Sequence, residues 1–341
     1  MHYRFTLSRP LLRALVASAA IAAQMTLAGC GGGPPATSGR HMQPLSDRML
    51  ATLKAKNMEK ESPILIRVFK EEAELELWKQ DDSGRLALLR TYPICRWSGE
   101  LGPKFKTGDR QAPEGFYTIT PGLMNPDSSQ YLAINTGFPN AYDRANSRTG
   151  AFLMIHGGCS SSGCYAMTDE QIAEIYALAR EAFFGGQRSF QLQAYPFKMT
   201  PLNMARHRNS PHMAFWKMIK QGYDHFEVTH LEPKVDVCER RYIFDADSTD
   251  RFSPAERCPA YNVRDDIAVA VREKQRRDEI ETVELINRGT PAEPGTSGAD
   301  GGMNATFLAA VRSQHNPGAV IRTASGTIPP YVKPPEGNGE D

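Results

Sequence analysis

A chain of 341 residues can hold one sizeable domain with appendages, or two small domains. With 40% hydrophobic and 23% charged residues, its composition is that of a soluble globular protein. The formal net charge of +1 gives no electrostatic reason to bind nucleic acid, which sets that partner class aside.

The first 29 residues read as a targeting segment. Arg4, Arg9 and Arg13 form a basic stretch with no acid, and Ala14 to Ala23 an alanine-rich apolar stretch. The segment is too short and too weakly apolar for a spanning helix. Leu27-Ala28-Gly29-Cys30 closes it and resembles the bacterial lipobox, which implies that Cys30 becomes a lipid-modified N-terminus. Several acyl chains on one residue anchor a protein stably where a single chain does not. Gly31 rather than aspartate follows, so the expected location is periplasmic, lipid-anchored at the outer membrane. An ordinary secretory signal with a chance cysteine is the plain alternative.

Residues 30–62 read as a linker, flexible over Gly31 to Gly39 and a polar helix over Leu45 to Lys60. From Pro63 the pattern turns to period two. Ile64 to Phe69, Glu74 to Trp78, Arg85 to Ile94, Gly115 to Thr120, Tyr131 to Asn135 and Phe152 to His156 are short β-rich runs separated by turns. Six or more such strands with few helices predict a mainly β fold, a sandwich or barrel, over 63–197. One helix interrupts it. Thr168 is a fitting N-cap with Gln171 three residues on, Ile172, Ile175, Tyr176, Ala179 and Phe183 keep helical spacing, and Gly185-Gly186 ends it.

Residues 198–262 read as an α+β extension. Ser210-Pro211 opens a helix that runs through Trp216 to Gln221 and is closed by Gly222. Phe226 to Thr229 and Arg241 to Phe244 follow as late strands or extended segments. Residues 263–288 form a charged helix, and 289–341 a low-complexity tail in which Gly289 to Gly302 and Asn316 to Asp341 are expected to be disordered.

Six cysteines in an exported chain invite disulfide bookkeeping. Cys238 and Cys258 can close a loop of about 20 residues, worth on the order of 3 kcal/mol in the chain-entropy model. Pairing of Cys95 with Cys159 is possible, and sequence alone does not show it.

The chemistry gathers in Ile155-His156-Gly157-Gly158-Cys159-Ser160-Ser161-Ser162-Gly163-Cys164. A thiol nucleophile needs a base for its proton and backbone donors for the charge that develops on the attacked carbonyl. Here a histidine ends an apolar run, glycines permit a sharp turn, and Cys164 stands just before a helix start, where partial positive charge favours thiolate. Two other readings use the same residues. Cys159 and Cys164 would make a structural or redox pair, and His156, Cys159 and Cys164 three zinc ligands. No fourth ligand sits at usual spacing, so the reading includes no metal and no cofactor.

The stretch resembles the catalytic motif of the L,D-transpeptidase (YkuD) family, in which a histidine-glycine pair precedes a Ser/Thr-His-Gly-Cys box. Gly102-Pro103-Lys104, Ala112-Pro113-Glu114-Gly115, Phe138-Pro139-Asn140-Ala141-Tyr142-Asp143 and Gly163-Cys164-Tyr165-Ala166-Met167-Thr168 bring it closest to the family's YafK-like branch. The likeness covers about Pro63 to Phe244. It implies a YkuD-like β fold and a cysteine enzyme acting on diaminopimelate-containing peptidoglycan stem peptides through a thioester, with sensitivity to penem or carbapenem inhibitors. Cys164 would be the nucleophile, His156 the base, and the Gly157 carbonyl the group orienting the imidazole. Ser162, Gly163 and the amides around Gly163 and Cys164 would lie at the oxyanion or substrate side.

Two positions depart from the family pattern. Ser162 replaces the histidine of the box, and Ala166 stands where arginine or asparagine is frequent. They leave attack by the cysteine more secure than transfer to an amine. A hydrolase that cleaves links to diaminopimelate, such as a tethered lipoprotein, is the alternative. A peptidoglycan-binding lipoprotein with a decayed site is the non-enzymatic one. Of the remaining polar candidates, Asp143 and Arg144 read as cleft or solvated turn, Glu114 as a turn residue, and Lys104 and Lys106 as meeting a stem-peptide carboxylate or water. Trp216 and Phe215 read as core.

Overall fold

The computed structural model describes residues 39–293 and 301–314, with two dipeptide strands at Arg322–Thr323 and Gly326–Thr327. Cys30 and the targeting segment lie outside the described residues.

In chain order the elements are α1 (Asp47–Ala55), β1 (Ile64–Phe69), β2 (Glu74–Gln80), β3 (Leu86–Pro93), β4 (Arg96–Trp97), β5 (Gly115–Ile119), β6 (Met124–Asn125), β7 (Ala133–Asn135), α2 (Ala141–Ala145), β8 (Met154–His156), β9 (Tyr165–Ala166), α3 (Asp169–Phe184) and β10 (Phe190–Tyr195). A second group follows: α4 (Pro201–Arg206), α5 (Met213–Thr229), β11 (Val235–Cys238), β12 (Arg241–Phe244), β13 (Ala246–Asp247), β14 (Asn262–Val263), α6 (Asp265–Asn287) and α7 (Ala305–Gln314).

Two five-stranded sheets carry the β-rich part, and they do not close into a barrel. The first runs β3-β2-β1-β10-β5, with β1 and β10 parallel and the other neighbours antiparallel. Every residue of β1 is buried because this central strand is covered on both sides. Strand alternation sends Ile64, Ile66 and Val68 to the main core with Ile172, Ile175 and Leu178 of α3. Phe69 faces the other way, into a cluster with Trp216, Ile219 and Tyr223 of α5. Burying each large aliphatic side chain contributes roughly 1.5–3 kcal/mol. The expected capping box is present on α3: the Thr168 hydroxyl accepts from the Gln171 amide at 3.2 Å, and the Gln171 side chain accepts from the Thr168 amide at 2.9 Å.

The second sheet runs β4-β9-β8-β7-β6 and is built from strands of two or three residues, with β8 and β9 parallel. Its β4 edge continues into the C-terminal segment, where Trp97 pairs antiparallel with Gly302. The Asn304 side chain donates to the carbonyls of Glu72 and Ala73, and Phe307 is buried beyond it.

Four sequence expectations change. The stretch read as a linker contains α1, whose Met49 and Leu53 enter the main core with Leu45 and Met58, so four apolar side chains outweigh the polar pattern around them. Gly222 does not close a helix. It lies inside α5, where an added Cβ would strike Phe116 and Phe244, and the helix ends instead at His230 with φ +53°. Phe226 to Thr229 is accordingly the last turn of α5 and not a strand. Within the stretch expected to be disordered, Gly301 and Gly302 pair against the sheet edge.

Arg241 to Phe244 is a strand, as expected, and pairs in a hairpin with β11, which the sequence reading did not include; Cys238 is disulfide-bonded to Cys258. The charged helix is present as α6, with Val271 its one buried residue.

Candidate active site

Strand β8 delivers His156 at its end, and the parallel register with β9 pairs Ile155 with Tyr165 and His156 with Ala166. Continued by one residue, that register sets Cys164 opposite Met154. Period-two alternation then puts Cys164 and His156 on one face of the sheet. The Met154 amide donates to the Cys164 sulfur at 3.4 Å, and the thiol donates to the Phe152 carbonyl at 3.7 Å. Cys164 is the one free cysteine among the described residues and is half-buried.

His156 is 5% exposed, with Nδ1 2.5 Å from the Gly157 carbonyl. A carbonyl only accepts, so Nδ1 carries the proton and Nε2 is the basic nitrogen. Burial holds the imidazole below the usual histidine range, against the pull of that carbonyl. Burial likewise pushes the Cys164 thiol up, opposed by the Met154 amide and the Lys104 charge. Both displacements favour the uncharged forms, imidazole and thiol.

Gly157 has no room for a side chain: a Cβ would lie 2.5 Å from Asp169 Oδ1 and 2.9 Å from the Gln130 carbonyl. Asp169, the first residue of α3, accepts from the Gly158 amide at 2.9 Å and ties the loop to the helix start.

Two serines complete the loop. Ser161 Oγ accepts from the Cys164 amide at 3.0 Å, donates to the Cys164 carbonyl at 2.7 Å and lies 2.9 Å from Ser98 Oγ. Ser98 Oγ in turn accepts from the Gly163 amide. Both amides assigned to the oxyanion are thus engaged by side-chain hydroxyls, while Ser162 is exposed. Ser98 escaped sequence reasoning because it lies far from the motif with no local signal. Its neighbour Cys95 was the nearest hint, for Cys95 is bonded to Cys159 across the same loop. That bond removes Cys159 both as a redox partner of Cys164 and as a zinc ligand.

Of the other polar candidates, Lys104, Glu114 and Asp143 turn inward, while Lys106 and Arg144 are exposed. Lys104 is 3% exposed and meets neither water nor an open cleft: it pairs with Asp109, donates to the Lys106 carbonyl at 2.9 Å and lays its stem against Gly150. Glu114 is fully buried, paired with Lys70 at 2.9 Å and accepting from Trp216 Nε1 at 2.9 Å. Asp143 closes a capping box on α2 and pairs with Arg148 at 3.1 Å. Arg144 Nη1 donates to the Pro139 carbonyl. Trp216 is core, as expected.

The family description "L,D-transpeptidase catalytic domain" (YkuD) matches residues 63–184, from the start of β1 to the end of α3, and the chain belongs to the YkuD family of L,D-transpeptidases. Within it the chain is YafK-like. It is 49% identical over 182 residues to the protein named "Putative L,D-transpeptidase YafK" of Escherichia coli strain K12, covering 53% of this chain and 74% of that one. The protein of the same name from Escherichia coli O157:H7 gives the same figures. Among solved structures, the helical cell shape determining protein Pgp2 of Campylobacter jejuni is 21% identical with TM-score 0.30, over 45% of this chain and 55% of that one. Bd1075 of Bdellovibrio bacteriovorus is 14% identical with TM-score 0.29, over 53% and 78%. The chain spans little more than half of the Pgp2 chain, and likeness at these scores adds nothing to the assignment.

Proposed function

We propose that this protein is a cysteine acyltransferase that acts on diaminopimelate-containing peptidoglycan stem peptides. The observation that carries the reading is the free Cys164 on the same sheet face as His156, whose ring is fixed through Nδ1 on the Gly157 carbonyl. His156 Nε2 takes the thiol proton as sulfur attacks the diaminopimelate carbonyl of a donor stem peptide. Collapse of the tetrahedral adduct breaks the amide bond, and the terminal D-alanine leaves with that proton on its amine. An acceptor amine then attacks the thioester, gives a proton to His156 and restores the thiol. The Gly163 and Cys164 amides, placed by the Ser98 and Ser161 hydroxyls, lie on the oxyanion side.

The test incubates the protein with purified muropeptides and sorts products into cross-linked and hydrolysed forms. Cross-linked products that vanish in Cys164→Ala support the reading, and products that persist in that variant overturn it. A thiol-dependent adduct with a penem, seen by mass, checks the same nucleophile.

One observation favours water as the second substrate. Ser162 and the fully buried Ala166 stand where the family pattern has acceptor-side polar groups. A hydrolase releasing groups linked to diaminopimelate follows if only hydrolysed products form. We further infer that Cys30 is lipidated and holds the enzyme in the periplasm at the outer membrane. Detergent-phase partitioning that survives Cys30→Ala overturns the anchor.

A further inference from the structure

Phe152 combines two properties that seldom go together. Its backbone lies in the left-handed region at φ +57°, which is unfavourable for a bulky residue, and its ring is 78% exposed, so no burial offsets that strain. Strain of this kind persists where the surroundings impose it and gathers at ligand sites. The local geometry shows what it achieves. The twist turns the Phe152 carbonyl onto the Cys164 thiol and sends the ring outward. Gly150, two residues earlier at φ +152°, lets the chain approach the stem of Lys104. The Thr149 amide donates to the Phe105 carbonyl at 3.0 Å, joining this loop to that of Phe105, itself 52% exposed.

Several large apolar side chains of this chain are exposed, Phe184 and Phe105 among them, but Phe152 joins its exposure to a strained backbone whose carbonyl lies against the Cys164 thiol. Its own carbonyl lies 3.7 Å from the Cys164 sulfur, which sets the ring within about one residue's reach of the attacked bond.

We propose that Phe152 is a specificity-determining residue whose ring packs on the aliphatic side chain of the donor residue that Cys164 attacks. The inference rests on the acyl-transfer reading above. Covering an exposed phenyl ring is a binding contribution made equally in the ground and transition states, so its loss raises KM and spares kcat.

The test uses the full chain with Phe152→Tyr, Phe152→Ala and Phe152→Gly and a disaccharide-tetrapeptide donor, with iodoacetamide alkylation of Cys164 as a probe too small to need the ring. Glycine is at home at this φ, so Phe152→Gly keeps the fold and removes only the ring. The expected result is a KM raised about tenfold in the alanine and glycine variants, with kcat and alkylation rate within twofold of the parent and tyrosine restoring KM. An unchanged KM in Phe152→Gly, or recovery by glycine of what alanine loses, overturns the role of the ring. Absence of donor turnover in the parent protein overturns the functional reading and this inference together. Turnover indifferent to the ring overturns this inference alone.

Discussion

The two sheets are held by different forces. Strands of five to eight residues make the first sheet, with apolar cover from α3 on one face and α5 on the other. The second has strands of two or three residues, too short for their ladders to fix a loop, and its His156-to-Cys164 turn is clamped by cross-links: the Cys95–Cys159 disulfide, the Ser98 and Ser161 hydroxyls and the Asp169 carboxylate. The scaffold thus rests on area removed from water, and the site on a few directional bonds. Damage to the first should appear as lost stability, and damage to the second as lost turnover.

Removing the proposed base, His156, makes the largest difference between the two measures. His156→Ala should lower donor turnover by about 10²–10⁴-fold while the melting midpoint stays close to that of the parent. Trp216→Ala makes the opposite change. It empties a fully buried site and strips Glu114 of a donor, so denaturant unfolding should show a loss of about 3–5 kcal/mol with near-parental turnover per folded molecule.

The Cys95→Ser/Cys159→Ser pair tests whether the clamp belongs to both columns. Across a sequence separation of 64 residues the chain-entropy model gives a stability loss of about 4 kcal/mol, and a loosened loop should also slow acylation. Ser98→Ala should cost only about 1–3 kcal/mol, through the unpaired Gly163 amide, yet lower turnover about tenfold; parental turnover would deny the hydroxyl a part in placing the loop.

The smallest effect is in pH. With the folded pKa of His156 below its unfolded value, the imidazole stays neutral into mildly acidic solution, and the acid limb of kcat/KM should fall below the usual histidine range near 6.5. The same displacement sets a sign for stability. As pH drops from the unfolded pKa to the lowered folded one, the unfolded chain binds the proton that the folded site resists, and the histidine's contribution to folding is lost. The free thiol runs the other way. Its folded pKa is raised, so alkylation of Cys164 should titrate above the usual cysteine range, and stability should decline as pH rises through the unfolded and then the raised folded value.

What could be read in the chain was local. The Thr168-to-Gln171 box, the apolar run of β1, the alternation in β2 and the His156-to-Cys164 motif each carry their signal within about ten residues. The Cys238–Cys258 bond was legible because both cysteines lie in one short segment. What could not be read depends on distant partners. Glu114 looks like a turn residue until Lys70 and Trp216 close around it, and Ser98 is one serine among many until the fold sets it beneath Gly163. Gly222 misleads for the same reason: glycine after an apolar run resembles a helix stop, and only the rings of Phe116 and Phe244 explain it inside α5.

The pairing of Gly302 with Trp97 has a consequence for how much of the chain must be kept. β4 is an outer strand, and Trp97 has its amide and carbonyl satisfied by Gly302 at 3.0 and 3.1 Å. A chain cut back to the family-matched region would bare those groups beside a tryptophan, a template on which a second molecule can add its own strand. Gly301 and Gly302, far outside that region, therefore supply the cover of the sheet's outer strand.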